Sequence, residues 1–303
     1  MLSKKVSPAD SQVFAAATAS TIDPLQSIRR LNLERKISEL DVYGFTIINP
    51  REFDDKGIAR RLRETILALS EKETGVKPDV TGGSTHSASG MALGETRFYV
   101  LLEDAVFEEA LMNEVALSMI SYLLGESCLL SSMSTAIRGP GTPALGLHTD
   151  MILTPSPFPA YAQVANAFWA LTDLTPEGGS TFFWPGSHKF CRRPTIEECA
   201  NTSKWVPITA PAGSLVIWHG NTWHGAGAKK TPGLRITMPM FFCRSYFIPQ
   251  ESYREKVSAA ALARNPSRFA HLLGVDHPYP FAKGGPDYKS LGRANALTET
   301  LFG

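Results

Sequence analysis

The chain has 303 residues, 43% of them hydrophobic, with 30 basic against 29 acidic side chains and a net charge of +1. That is enough apolar material for one large core, and the balanced charge, with no lysine- or arginine-rich block, offers no electrostatic footing to nucleic acid or an anionic membrane. No apolar run reaches the roughly 20 residues of a bilayer span, and Cys128, Cys191, Cys199 and Cys243 lack C-x-x-C spacing, so they read as reduced thiols of a cytoplasmic protein.

Residues 1–24 read as a flexible arm. Lys4 and Lys5 precede a small-residue stretch, but Pro8, Asp10, Ser11 and Gln12 interrupt any signal-type apolar run. Residues 25–303 read as a single domain with its core at about 97–245. The spacing of Leu25, Ile28, Leu31, Leu33, Ile37 and Leu40 predicts one amphipathic helix over 25–40. A β-rich run over 42–48 predicts the first strand, and the stripe Ile58, Leu62, Ile66 and Leu69 a second helix over 54–73. Residues 74–96, rich in Gly, Ser and Thr, predict a loop, in which His86 takes no role. A helix over 106–124 is closed by Gly125.

From Cys128 onward the period shortens. Strands are predicted over 128–138, 163–172, 180–184, 214–219 and 235–243, separated by Pro- and Gly-rich turns. The fold class is therefore mainly β with flanking helices, and the architecture a jelly-roll, cupin-like double-stranded β-helix. Gly225-Ala226-Gly227 reads only as a turn after His224, and no Gly-rich loop opens a helix after a strand. Helix returns over 252–264 and near Phe269, and the tail from Gly274 is expected to wrap the surface.

His148 and Asp150 are two residues apart, so on an extended strand both side chains leave one face. A third donor from His224 completes two imidazoles and one carboxylate, the set that leaves three positions of an octahedron open in non-haem Fe(II) oxygenases. Arg235, eleven residues after His224, can clamp a carboxylate with two parallel hydrogen bonds. An isolated H-x-D also occurs as a surface pair, and the four residues alone leave both readings open. His219 competes with His224 as the second imidazole; the interval to Arg235 and the His-Gly-Ala-Gly turn favour His224. His188, in a Pro-Gly-Ser-His turn, reads as structural.

Between about Arg97 and Phe242 the chain resembles the phytanoyl-CoA dioxygenase family. The resemblance is carried in order by Gly146-Leu147-His148-Thr149-Asp150, Phe168-Trp169-Ala170-Leu171-Thr172-Asp173 and Glu177-Gly178-Gly179-Ser180-Thr181. It continues in Pro185-Gly186-Ser187-His188-Lys189, Ala212-Gly213-Ser214, His224-Gly225-Ala226-Gly227 and Arg235. It implies Fe(II) on His148, Asp150 and His224, with 2-oxoglutarate and O2 as co-substrates and ascorbate in support. It implies further that Arg235 holds the distal carboxylate of the keto acid, with Thr181 and Arg97 able to reach it and Phe168 stacked beside it. An aspartate at 150 argues for oxygen chemistry over halogenation.

The expected substrate is a mainly apolar small molecule of the natural-product kind, walled by Met133, Met151, Phe158, Tyr161 and Trp223. No basic cluster suggests a grip on a coenzyme A diphosphate. The rival readings are an acyl-CoA hydroxylase, a cupin-like metalloenzyme without 2-oxoglutarate, and a binding protein without turnover. No nucleic acid or membrane partner is expected, and a homodimer is left open.

Overall fold

The computed structural model describes residues 25–53, 57–83 and 94–296. The N-terminal arm and His86 lie outside the described residues. Among the described residues eleven strands form two sheets: β1 Phe45–Ile48, β2 Glu95–Arg97, β3 Leu129–Met133, β4 Thr135–Arg138, β5 Leu145–His148, β6 Val164–Ala170, β7 Thr181–Phe183, β8 Val206–Pro207, β9 Leu215–His219, β10 His224–Ala226 and β11 Arg235–Cys243. The larger sheet runs β1-β9-β6-β11-β4-β2, with β3 also on β11; the smaller runs β5-β10-β7-β8. All pairings are antiparallel.

Alternation along the central strands decides which side chains meet. On β11, Ile236, Met238, Met240 and Phe242 join Ala165, Ala167 and Trp169 of β6 and Leu215 and Ile217 of β9 in the main core, together with the apolar stripes of the helices. On the opposite face Phe168, Ala170, Val216 and Trp218 meet Phe183 of the smaller sheet inside the barrel. Residues directly opposite in an antiparallel pair point the same way. Thr237 faces Ala170 and Pro239 faces Phe168, so Arg235, Thr237, Pro239 and Phe241 share the inner face.

Pro239 is accommodated by a gap in the ladder. Beside it β11 changes partner from β4, which reaches Thr237, to β3, which begins at Met240. The Pro239 carbonyl accepts the Ser134 N–H between those strands. The position lacking a donor therefore faces the junction. The run 128–138 is two strands for this reason.

Other elements differ from expectation for local reasons. The segment 25–40 is two helices, Gln26–Arg30 and Glu34–Tyr43, separated at Asn32, which takes φ 55°. Tyr43 ends the second of these, so the first strand starts only at Phe45, after Gly44 in the left-handed region. The second helix is Ile58–Thr74. The segment 106–124 is Ala105–Leu111 and Glu114–Leu124, because the Asn113 side chain caps the latter by accepting the Ala116 N–H. Strand β2 occupies the end of the segment read as loop, and helix within 252–264 is confined to Ala259–Arg264. No helix among the described residues is long and apolar enough to cross a membrane. All four cysteines are free.

Candidate metal centre and anion pocket

His148 closes β5 and His224 opens β10, and the two are directly opposite in the ladder. Their rings lie 4.4 Å apart, centroid to centroid. Strand β10 is a correction: the segment read as a turn is the middle of the smaller sheet, paired on both sides. It runs so close to its neighbours that a Cβ on Gly225 would lie 2.4 Å from Phe182 Cζ and 2.5 Å from the Leu145 carbonyl. Only glycine permits that approach.

Asp150 is not on the strand with His148. The strand ends, and the Thr149 hydroxyl and Asp150 N–H both donate to the Gly220 carbonyl, at 2.8 and 3.2 Å. This turn carries the carboxylate back toward the imidazoles, leaving Asp150 Oδ1 3.6 Å from His224 Nε2. Ligand atoms of His148, Asp150 and His224 all lie within 4.8 Å of one another, a set that could hold one metal ion.

Hydrogen bonds prepare each donor. His148 Nδ1 meets the Gly146 carbonyl at 2.8 Å, and His224 Nδ1 meets that of Thr222 at 2.9 Å. A carbonyl only accepts, so each Nδ1 carries the proton and each Nε2 keeps its lone pair. Burial lowers the His224 pKa, which favours the neutral ligand form. Asp150 Oδ2 accepts from Asn166 Nδ2 at 2.8 Å and Trp218 Nε1 at 2.9 Å, leaving Oδ1 as the atom to bind a metal. The residues fit Fe(II) in donor type, tautomer and open side.

Asn166 and Trp218 carry no motif. They are opposite each other in the β6–β9 ladder, both inward, and so converge on one oxygen. Trp218→Phe should lower turnover about 10- to 100-fold, the usual effect of losing a group that orients a ligand. Iron titration and steady-state rates check this; an unchanged rate would remove Trp218 from the site. His219, one residue on, has the opposite parity and pairs with Ala165, a member of the outer core. Its Nδ1 accepts the Asn221 N–H, and burial pushes its pKa down to about 3. The choice of His224 over His219 follows from that parity. His188, likewise lowered by burial, to about 4, packs on His219.

Deeper in the barrel lies Arg235, only 7% exposed. Burial, and then the neighbouring Arg138, push its pKa down to about 10, so it stays charged at neutral pH. Its Nε has no hydrogen-bond partner among the described residues. Thr181 shares the inner face of β7 with Phe183, and Phe168 lies inside the barrel, edge-on to Trp218 at 5.6 Å. Both therefore face the barrel interior, as Arg235 does. Arg97 does not: its guanidinium donates to the Leu69 carbonyl and pairs with Glu73, on the helix Ile58–Thr74. The expected role of Arg97 is corrected. Arg138, which lay at the end of a predicted strand, is instead the cation directly opposite Arg235.

Of the five residues expected to wall the substrate, Met151 and Phe158 cluster beside the centre, against Leu129, Val164 and Cys243 and with Phe241 and Phe247. Tyr161 is 47% exposed, with Arg244 4.8 Å from its ring. Met133 and Trp223 are corrections. Met133 is opposite Met240 and belongs to the outer core. Trp223 packs with Leu147 and Phe182 on the far face of the smaller sheet and donates to the Arg192 carbonyl. A cavity of about 760 Å³ lies between β3 and the segments 245–255 and 273–280; Leu129 and Phe247 of the cluster around Met151 and Phe158 line it, and none of the triad does.

A jelly roll with two imidazoles and a carboxylate at its mouth, and a buried arginine behind them, defines a class of mononuclear metal proteins with an acid-binding pocket. The family model described as phytanoyl-CoA dioxygenase (PhyH) matches residues 42–237, about two thirds of the chain. The chain belongs to that family. Among curated relatives it is 30% identical over 193 residues to Dioxygenase af480 of Aspergillus fumigatus, covering 63% of this chain and 62% of that protein. It is 27% identical over 259 residues to Uncharacterized protein Rv1501 of Mycobacterium tuberculosis, covering 83% of this chain and 90% of that one. The aligned stretch thus spans less than two thirds of the fungal relative. Similar solved folds include HygX from Streptomyces hygroscopicus with nickel and 2-oxoglutarate bound, at 17% identity and TM-score 0.57, over 71% of this chain and 88% of that one. Another is SnoN, a non-heme alpha ketoglutarate dependent epimerase from nogalamycin biosynthesis, at 20% identity and TM-score 0.51, over 71% and 84%.

Proposed function

We propose that this protein is a non-haem Fe(II)- and 2-oxoglutarate-dependent dioxygenase that oxidises an unactivated carbon of a mainly apolar small molecule, a secondary metabolite. In a hydroxylation, one oxygen atom of O2 enters the substrate and the other enters succinate, with loss of CO2. The observation that carries this reading is the pairing, inside one barrel, of the prepared His148, Asp150 and His224 set with the buried Arg235, whose Nε has no partner among the described residues. A metalloenzyme without a keto acid would leave that arginine without purpose. Bound iron would supply the activation of oxygen; the chain supplies position, charge and exclusion of water.

His148 and His224 would hold the metal through Nε2 and Asp150 through Oδ1. Arg235 would anchor the distal carboxylate of the keto acid, Thr181 and Phe168 would flank it, and Met151, Phe158 and Phe241 would face the substrate. The exposed Ile152 and Leu153 extend that apolar surface outward. Cations near the mouth are already engaged. Arg193 donates to the carbonyls of Met151, Ile152 and Thr154, and Arg244 to those of Ala162 and Leu123. A coenzyme A diphosphate would have to compete for them, which favours a free substrate over an acyl-CoA. The name of the fungal relative accords with dioxygenase chemistry, and that of SnoN with a 2-oxoglutarate-dependent reaction in natural-product biosynthesis.

The test is succinate release with Fe(II), 2-oxoglutarate and O2 against a panel of free polycyclic and peptide-derived compounds and of acyl-CoA thioesters. Substrate-stimulated succinate with free compounds is the expected result. Saturable stimulation by phytanoyl-CoA alone would overturn the substrate class, and no succinate under any condition would overturn the reaction.

A further inference from the structure

The closed end of the barrel carries more positive charge than one anchoring arginine requires. Arg138 and Arg235 are directly opposite in the β4–β11 ladder and point the same way. Cβ atoms at such positions are about 5 Å apart, and like charges there repel. Arg138 is partly buried and its pKa is lowered by burial; Arg138 Nη1 and Arg235 Nε lack hydrogen-bond partners among the described residues.

Nothing described on the inner face compensates them. No ion pair with a carboxylate is found for either guanidinium among the described residues. Glu95, on the adjacent strand β2, is opposite Ile137, whose side chain lies in the outer core, and its carboxylate accepts the Ser70 hydroxyl instead. Lys229 adds a third positive charge close to Arg235, its ammonium satisfied by Thr231 and Pro232. One buried and one partly buried guanidinium, with unused donors and no counter-ion among the described residues, form a site arranged for an anion.

We propose that Arg138 and Arg235 together form a two-guanidinium clamp for the distal carboxylate of the keto acid, and that the empty clamp is a point of charge repulsion that the ligand relieves. The proposal rests on the co-substrate assigned above and adds a second cation, Arg138, in the place expected for Arg97. The keto acid then neutralises stored repulsion as well as making hydrogen bonds. The chain gives up stability when empty to keep the pocket ready.

The two roles open to Arg138 predict opposite signs. An arginine that merely packs or bridges destabilises the protein when removed. One of two facing, uncompensated charges stabilises the empty protein when replaced by an apolar residue of similar length. The experiment is thermal unfolding of metal-free wild type, Arg138→Met and Arg138→Lys, each alone and with 2-oxoglutarate, succinate or glutarate.

Arg138→Met is expected to unfold at or above the wild-type temperature without ligand and to lose most of the ligand-induced rise. Its half-saturating 2-oxoglutarate concentration should increase on the order of ten- to a hundredfold, the value of charge-assisted hydrogen bonds. Arg138→Lys should recover part of the rise. An Arg138→Met protein that is less stable when empty, or that fails to fold, overturns the proposal, as does one stabilised by the keto acid to the wild-type extent. If the wild type itself gains nothing from 2-oxoglutarate, with or without Fe(II), the co-substrate assignment fails first.

Discussion

An Asp150→Ala variant is expected to lose substrate-dependent succinate formation on the order of a thousandfold or more, the largest effect of any single change outside the imidazoles. The carboxylate is the only anionic member of the donor set, so its loss removes both a ligand and the charge that balances Fe(II). The fold should survive. Asn166 Nδ2 and Trp218 Nε1 lose their acceptor, at a cost of about 1–3 kcal/mol for each donor left unsatisfied. Water or anion can enter the vacated space and limit that cost. Chloride is one such anion, and Asp150→Gly in chloride should be assayed for chlorinated product. Iron titration, circular dichroism and succinate assays together separate loss of metal from loss of fold. Wild-type turnover in Asp150→Ala would remove the residue from the metal set.

Arg235→Ala should raise the 2-oxoglutarate requirement on the order of a hundredfold, by loss of charge-assisted hydrogen bonds in a desolvated pocket. Metal affinity should be nearly unchanged, because β11 separates the two functions. Asp150 is oriented by Asn166, which lies opposite Phe241, at the other end of the inner face from Arg235. Thr237 and Pro239 lie between. The removed side chain leaves room at the closed end of the barrel, so added guanidinium or methylguanidinium should restore part of the activity. A variant that lost iron and kept normal co-substrate affinity would show that the arginine supports the metal instead.

The alternation of β11 is readable from the sequence because each face is uniform: methionines, isoleucine and Phe242 outward, Arg235 and Thr237 inward. A period of two needs several residues to show itself. At three residues β10 is too short, and its glycine, required by the approach of Phe182 and Leu145, reads as a turn. The helices were located but not divided, since the breaks at Asn32 and Asn113 come from one left-handed residue and one side-chain cap.

The convergence of His148, Asp150 and His224 was legible because a motif fixes it. The groups that depend on register were not. Asn166 and Trp218 act together only because β6 and β9 place them opposite each other, and Arg138 meets Arg235 only through the β4–β11 register. Arg97 follows the opposite course: its position suits the family, but the helix Ile58–Thr74 supplies Glu73 and a carbonyl that take its guanidinium. Met133 and Trp223 were expected in the substrate wall as apolar side chains, and side-chain parity sends both to outer faces.

The central claim is that one barrel holds Fe(II) and a keto acid together. Its most direct test needs no substrate: under strict anaerobiosis, Fe(II) and then 2-oxoglutarate are added to the metal-free protein while the visible spectrum is recorded. A weak charge-transfer band should appear in the wild type, require much more 2-oxoglutarate in Arg235→Ala, and be absent in His224→Ala. A folded wild-type protein that binds iron but gives no band at saturating 2-oxoglutarate would contradict the account and leave a metalloenzyme of a different reaction class.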